Sequence, residues 1–483
     1  MANKKTYHGN SNPYTILSDE DVKQIQEAAF ILMWEIGIKF DTETEAMKLF
    51  SEAGCSISSD GIVRFPRELV ERSINTVGKS VKIWDRDGED FIEFNTQNTI
   101  MMAGTTCTDV VDYETGVARI GTRDDIATAV NVADYLSGID AVTVPFKIEA
   151  DSKIAGQIQE FAALVENTRK PLMYLSEDVQ ALSAAIEISA FLRGGEKQLR
   201  QKPYFSYLVS PLPLQYEKNH IEQVFLCVEN GIPIVAASTG VGGASTPITI
   251  AGNVAHCLAN DFACIVLSQL IEKGSFCACS TVPAFINPAS GLLGGFPETS
   301  LAELARCQVL RDMGLPIGGS GAGIGGGANH LDGHNISVAA LLMMSAAYSR
   351  PGLCWGLGCI NFMNTFSLQS LIYCSELVGW VRRLWKGIQV NEDTLALDVT
   401  RTVGVGGGYM AEMHTAIHCR TELWQPDCLF SAVNAGEGAT ESDQMIQLLD
   451  EKLRTIINSH KPEPLPKSVA MQINKILRKY DAS

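Results

Sequence analysis

Pro203-Tyr-Phe-Ser-Tyr-Leu-Val-Ser-Pro211 and Ile232-Pro-Ile-Val-Ala-Ala-Ser-Thr239 are two short apolar runs, each ending in small polar residues. Between them Ile221, Val224, Phe225 and Val228 fall at i, i+3, i+4 and i+7, the spacing of one helical face. Strands that are apolar nearly throughout have no solvated face. They belong in a parallel sheet covered on both sides, with helices as the crossovers.

The unit repeats in both directions. Comparable runs are centred near Gly104, Thr143, Tyr174, Ser206, Ala236, Cys279, Gly318 and Trp355, at intervals of 30 to 43 residues. Ile126, Ala129, Val130 and Ala133 repeat the helical spacing. Eight such strands predict an α/β fold closed as a (β/α)8 TIM barrel over residues 96–390, with a doubly wound open sheet as the competing architecture. Residues 1–95 read as an N-terminal helical segment, with helix starts at Ser18-Asp-Glu-Asp21 and Phe65-Pro66-Arg67-Glu68. Residues 391–483 read as a C-terminal helical extension packed on the barrel, including Glu441 to Ser459 and a Pro-punctuated joint at 460–466.

Composition narrows the function. The 483 residues carry 38 basic and 55 acidic side chains, a net charge of −17. That balance argues against nucleic acid, which is held by clustered Lys and Arg. The most apolar stretch, Ala251 to Ile271, is broken by Asn253, His256, Asn260 and Asp261, so no membrane span is expected. The N-terminus has no apolar run after its lysines, and the 13 scattered cysteines do not suit a disulfide scaffold. The expectation is a cytoplasmic enzyme with reduced thiols.

Barrel chemistry sits at the C-terminal ends of the strands. Here those ends are glycine-rich, aromatic and nearly free of Lys and Arg; 11 of the 42 glycines lie between Gly291 and Gly327. Gly321-Ala-Gly323-Ile-Gly325-Gly326 matches G-x-G-x-x-G, but Leu341 to Ser345 stands where a dinucleotide site needs an acid. Gly318-Gly-Ser320-Gly-Ala322 lacks the last glycine of a nucleophile elbow. His414 and His418 share a helical face, as zinc ligands can, yet lie outside the strand ends, so packing or capping is the preferred reading. Glu177-Asp178 reads first as a cap for the helix after the third strand, with a charge facing the pocket as the alternative.

Four further stretches carry a resemblance: Gly387-Ile-Gln-Val-Asn-Glu-Asp-Thr-Leu-Ala396-Leu-Asp, Val403-Gly-Val-Gly-Gly-Gly408-Tyr-Met-Ala, Met413-His-Thr415 and Glu422-Leu-Trp-Gln-Pro426. With the eight-strand rhythm, the chain resembles the trimethylamine methyltransferase superfamily of corrinoid-dependent methyltransferases. Members acting on trimethylamine carry pyrrolysine on the loop after the seventh strand. Here Gly321 to His334 has no special residue, which resembles the non-pyrrolysine branch acting on quaternary amines such as glycine betaine. The resemblance implies methyl transfer to cobalamin on a separate corrinoid protein, and association into a homo-oligomer. No tightly bound metal is expected.

From position and chemistry, Tyr207, Trp355, Phe362 and Phe366 are candidates for an aromatic ammonium box, and His330, His334 and Asn361 for holding a substrate carboxylate. Catalytic residues are not identified, and a quaternary ammonium leaving as a neutral amine needs no general acid. The alternatives are a zinc-dependent barrel methyltransferase or lyase using the histidine pairs, and a non-catalytic betaine-binding protein.

Overall fold

A computed structural model describes residues 12–426 and 441–481, apart from 290, 292 and 294–296. Eight parallel strands form one sheet: β1 (Ile100–Ala103), β2 (Ala141–Val142), β3 (Leu172–Tyr174), β4 (Phe205–Val209), β5 (Ile234–Ala236), β6 (Cys277–Cys279), β7 (Ser320–Gly321) and β8 (Leu353–Leu357). All eight fall in the apolar runs read from the sequence. The order is 6-5-4-3-2-1-8-7, and a parallel bridge between Cys279 and Ile317 joins the two ends. At that seam the Cys279 N–H donates to the Pro316 carbonyl at 2.9 Å, and the Gly318 N–H donates to the Cys279 carbonyl at 2.7 Å. The sheet is closed, which decides for the barrel over the open sheet.

A long helix follows each strand: α1 (Arg123–Tyr135), α2 (Lys153–Asn167), α3 (Val179–Arg193), α4 (Lys218–Asn230), α5 (Ile250–Ile271), α6 (Pro297–Asp312), α7 (Gly333–Ser349) and α8 (Leu368–Lys386), with a short extra helix, Glu196–Gln201, after α3. Alternation along each strand separates two cores. Phe205, Tyr207 and Val209 join the layer between sheet and helices, whereas Leu208 joins Met102, Met173, Val235 and Ala278 inside the barrel. An antiparallel hairpin, Val81–Trp84 with Phe91–Phe94, adds Ile83, Ile92 and Phe94 to that inner cluster.

The N-terminal region is not purely helical. Besides Asp19–Ile31, capped by Ser18, and Arg67–Thr76, it contains this hairpin and the strands Ile38–Phe40, Ser56–Ile57 and Ile62–Arg64. These strands are too short for periodicity to register, because three residues hold less than two repeats of the pleat. The helices Asp19–Ile31 and Arg67–Thr76 and a third, Glu45–Glu52, all pack on α5. That covering explains why α5 is apolar on all sides, and why it is the one helix among the described residues long and apolar enough to cross a membrane. Its Asn253, Asn260 and Asp261 are buried and hydrogen-bonded. Twelve described cysteines are free thiols, and ten of them are buried.

The C-terminal extension divides in two. α12 (Glu441–Ser459) and α13 (Lys467–Asp481), numbered after three shorter helices described below, pack on α8, α1, α2 and α3. Residues 387–426, by contrast, contain no buried residue.

Candidate active site

Past the barrel, β5 and β6 continue as a second parallel pair, Thr239–Gly242 with Val282–Phe285. On the β8–β1 side, Cys359–Ile360, Thr365–Phe366, Asp109–Val111 and Ala118–Arg119 make a four-stranded sheet. These additions raise the rim of the mouth, and two cavities lie within it.

The first, about 120 Å³, lies at the ends of β6, β7 and β8. Val282, Ala284, Ile324 and Leu342 make its wall largely apolar, and Trp355 and Phe362 add aromatic rings. Asn361, Phe362 and Met363 have φ of +50°, +47° and +73°, three successive non-glycine residues in the left-handed region. Such a conformation costs energy and survives only where surrounding structure enforces it. Here it presents Phe362 and Met363 to the cavity. Gly319 and Gly327 keep the wall thin: a Cβ at Gly319 would lie 2.8 Å from Trp355 Nε1, and one at Gly327 3.0 Å from the Phe362 ring.

One charged side chain lines this cavity, Glu303 of α6, which is 4% exposed. Arg306, one turn later and fully buried, donates from Nε to Glu303 Oε2 at 3.0 Å and from Nη2 to Oε1 at 2.8 Å. Burial alone would lower the Arg306 pKa, but the adjacent carboxylate outweighs it and holds the guanidinium charged. The other guanidinium protons reach the carbonyls of Cys279, Gly318 and Gly319 at 3.0–3.1 Å. Arg306 therefore fastens the barrel seam and fixes the Glu303 carboxylate at once. Among the described residues, three buried polar atoms of the lining have no hydrogen-bond partner: Thr299 Oγ1, Ser345 Oγ and Trp355 Nε1. In an apolar wall an unpaired donor is costly unless a ligand satisfies it.

The second cavity, about 460 Å³, lies at the ends of β1, β2 and β3 and is polar. Glu160 of α2 lines it, accepting the Ile148 N–H at 3.1 Å. Burial pushes its carboxyl up to about 7, against the pull of that hydrogen bond and of Lys147. Glu177 is bonded by the ammonium groups of Lys147 and Lys153, which outweigh its burial and keep its pKa low. Asp178 caps α3, accepting the Gln180 N–H at 2.7 Å, so the two halves of Glu177-Asp178 split between the pocket and the helix start.

Of the residues expected at the site, Trp355 and Phe362 line the first cavity. Tyr207 does not, because it alternates to the helix side of β4. It is fully buried, donates to the Ser176 carbonyl at 3.0 Å and meets the Tyr174 ring at 6.1 Å. Phe366 is also core, 1% exposed and packed on Phe146. His330 and His334 are exposed at the start of α7, where Asp332 is the N-cap and accepts the Asn335 N–H at 2.8 Å. Asn361 donates to Asn329 beside the strained turn. None of these three lines either cavity. The sequence reading missed Glu303, Arg306, Thr299 and Ser345. An available signal was Glu303-x-x-Arg306, a charge pair one turn apart amid Ala302, Ala305 and Cys307 on the helix after the sixth strand.

A sequence profile described as trimethylamine methyltransferase (MTTB) matches residues 1–483. Among curated proteins, a trimethylamine methyltransferase of Desulfitobacterium hafniense strain DCB-2 is 25% identical over 96% of this chain and 93% of its own length. A glycine betaine methyltransferase of D. hafniense strain Y51 is 26% identical over 86% of each chain. Among solved structures, the monomethylamine methyltransferase of Methanosarcina barkeri aligns with a TM-score of 0.49 at 15% identity, covering 92% of this chain and 95% of that one.

Proposed function

The chain belongs to the trimethylamine methyltransferase family and is a methyltransferase; from that premise we propose that it takes a methyl group from a betaine and passes it to cob(I)alamin carried by a separate corrinoid protein. The observation that carries the substrate class is the first cavity's lining. One buried carboxylate and two aromatic rings suit a trimethylammonium head, while three unpaired donors suit a carboxylate. A zwitterion with both groups satisfies the cavity; trimethylamine leaves the donors unpaired.

A docked corrinoid would supply a strong cobalt nucleophile able to accept the methyl carbon as the C–N bond breaks. The electron pair of that bond stays on nitrogen and the tertiary amine leaves neutral, so the protein need not deliver a proton. The work of this chain's residues is orientation and exclusion of water, effects that reach roughly 7–11 kcal/mol in well-oriented reactions. Glu303, held by Arg306, and the faces of Trp355 and Phe362 locate the ammonium. Thr299, Ser345 and Trp355 Nε1 fix the carboxylate and so the direction of the C–N bonds.

The test mixes the protein with cob(I)alamin and glycine betaine, proline betaine, carnitine, tetramethylammonium or trimethylamine, and follows the cobalamin spectrum. Conversion to methylcobalamin is expected with at least one betaine and not with trimethylamine. No conversion with any quaternary amine would sink the reading, and betaine binding without conversion would mark a binding protein.

A further inference from the structure

Between α8 and residue 424 the chain forms three short helices, α9 (Glu392–Leu395), α10 (Leu397–Val403) and α11 (Met413–Glu422). None of them contains a buried residue. Val390, Val405 and Met410 are likewise exposed. The excursion is tied at its ends, where Arg383 donates to the Glu422 carbonyl at 2.8–2.9 Å and Trp424 meets Trp380 at 5.7 Å. A folded segment without a core needs another kind of cross-link, such as a disulfide or a metal.

Its two ends converge on one residue. His414 and His418, one turn apart on α11, have ring centroids 4.3 Å apart. His414 Nε2 lies 3.0 Å from the backbone carbonyl of Asp393 on α9, and His418 Nε2 lies 3.1 Å from the Asp393 carboxylate. One ligand atom from each of Asp393, His414 and His418 lies within 4.8 Å of the other two. Around a tetrahedral zinc ion with bonds of ~2.0–2.1 Å, ligand atoms stand roughly 3.3–3.4 Å apart, so rotamer-scale adjustment brings all three to one ion. Two imidazoles and a carboxylate suit zinc or another borderline divalent cation. The sequence offered the histidine pair with Cys419 and Glu422 beside it; the fold instead brings Asp393, 21 residues upstream of His414, to the two rings.

We propose that Asp393, His414 and His418 bind one divalent transition-metal ion, zinc by preference, which clips α9 to α11 and orders residues 388–426. The site lies apart from both mouth cavities and is independent of the methyl-transfer reading.

The full chain, stripped by chelator, is titrated with Zn²⁺ and with Co²⁺ as a spectroscopic probe, and digested with protease in both states. One equivalent is expected to bind with a saturable visible Co²⁺ spectrum, and metal should slow cleavage within 388–426 at least about tenfold. His414→Ala and His418→Ala should each weaken binding at least about 100-fold, since losing even a residue behind the ligands costs 10–100-fold in metal sites. Because α11 contains no buried residue, these variants keep the circular dichroism of the metal-free wild type, so the loss of binding is not a loss of the barrel fold. His460→Ala, which breaks a separate His–Asp pair with Asp134, is the control and should retain the metal. Absence of stoichiometric binding, equal affinity in His418→Ala, or loss of metal in His460→Ala overturns the assignment.

Discussion

The two cavities at the barrel mouth are cut from one ring of strands, yet they handle a buried carboxylate in opposite ways. At the β6–β8 side both oxygens of Glu303 are paired with a fully buried arginine, and the rest of the wall is mostly apolar and aromatic with a few hydroxyls. At the β1–β3 side Glu160 has no such partner, so burial raises its pKa, while the charged groups around it pair among themselves. A carboxylate held in one orientation by its arginine partner can present an oxygen to a permanent cation. A carboxyl that titrates near 7 cannot do so reliably at neutral pH.

The largest expected effect breaks the first arrangement. Arg306→Met strands the Glu303 carboxylate and releases the β6–β7 carbonyls, and should cost about 3–5 kcal/mol in chemical denaturation. Glu303→Leu in the same chain should recover part of that loss. If Arg306→Met unfolds like wild type, the seam does not depend on this pair.

Next comes the contrast in pH. Glu160 has a folded pKa of about 7 against an ordinary value of 4.5, so the native state holds this proton more tightly than the unfolded chain. Its contribution is complete below about pH 4.5 and is lost as pH rises to about 7. Glu160→Gln should flatten the decline over that window by about 2–3 kcal/mol, leaving the parallel contribution of Asp261, also raised to about 7 by burial. The same variant should leave the KM for a quaternary amine unchanged; a large rise in KM would move the substrate to the polar cavity.

Binding variants sharpen the comparison at smaller scale. Phe362→Ala should weaken a quaternary amine by about 1–2 kcal/mol, roughly 5- to 30-fold, and more than Phe362→Leu does. Equal titrations for the two would remove the aromatic box. Trp355→Phe keeps a ring and deletes the unpaired N–H, so it should weaken a betaine by roughly 3- to 10-fold and leave tetramethylammonium unaffected. His334→Ala, at an exposed position outside the cavity, should change neither ligand's affinity by more than about twofold. A betaine-specific loss there would restore the carboxylate anchor expected from the sequence.

The strand count was legible because each run near Gly104, Thr143, Tyr174, Ser206, Ala236, Cys279, Gly318 and Trp355 must be apolar whichever neighbour it pairs with. Trp355 and Phe362 were legible as residues of the barrel mouth because they lie at or after the eighth strand, and both line the first cavity. Tyr207 was not separable from them. Its neighbours are a small Ser206 and an apolar Leu208, and the run Phe205–Val209 is buried throughout, so the sequence does not show which set faces the barrel. His330 and His334 look like ligands in a chain with few histidines, but their position is set by the Asp332 cap of α7. Thr299, Ser345 and Trp355 carry no shared motif, because they come from α6, α7 and β8 and meet only across the closed seam.

Covalent order and hydrophobic period thus determined the layers by themselves: eight strands, eight helices, and a family signature between Gly387 and Pro426. Burial is a local demand that each segment states in its own composition. The tertiary structure alone decided which face of each strand looks inward, that Arg306 closes the β6–β7 seam behind Glu303, and that Asp393 meets His414 and His418. These are contacts between residues distant in the chain or differing only in side, and such contacts acquire an energy only after the barrel has closed.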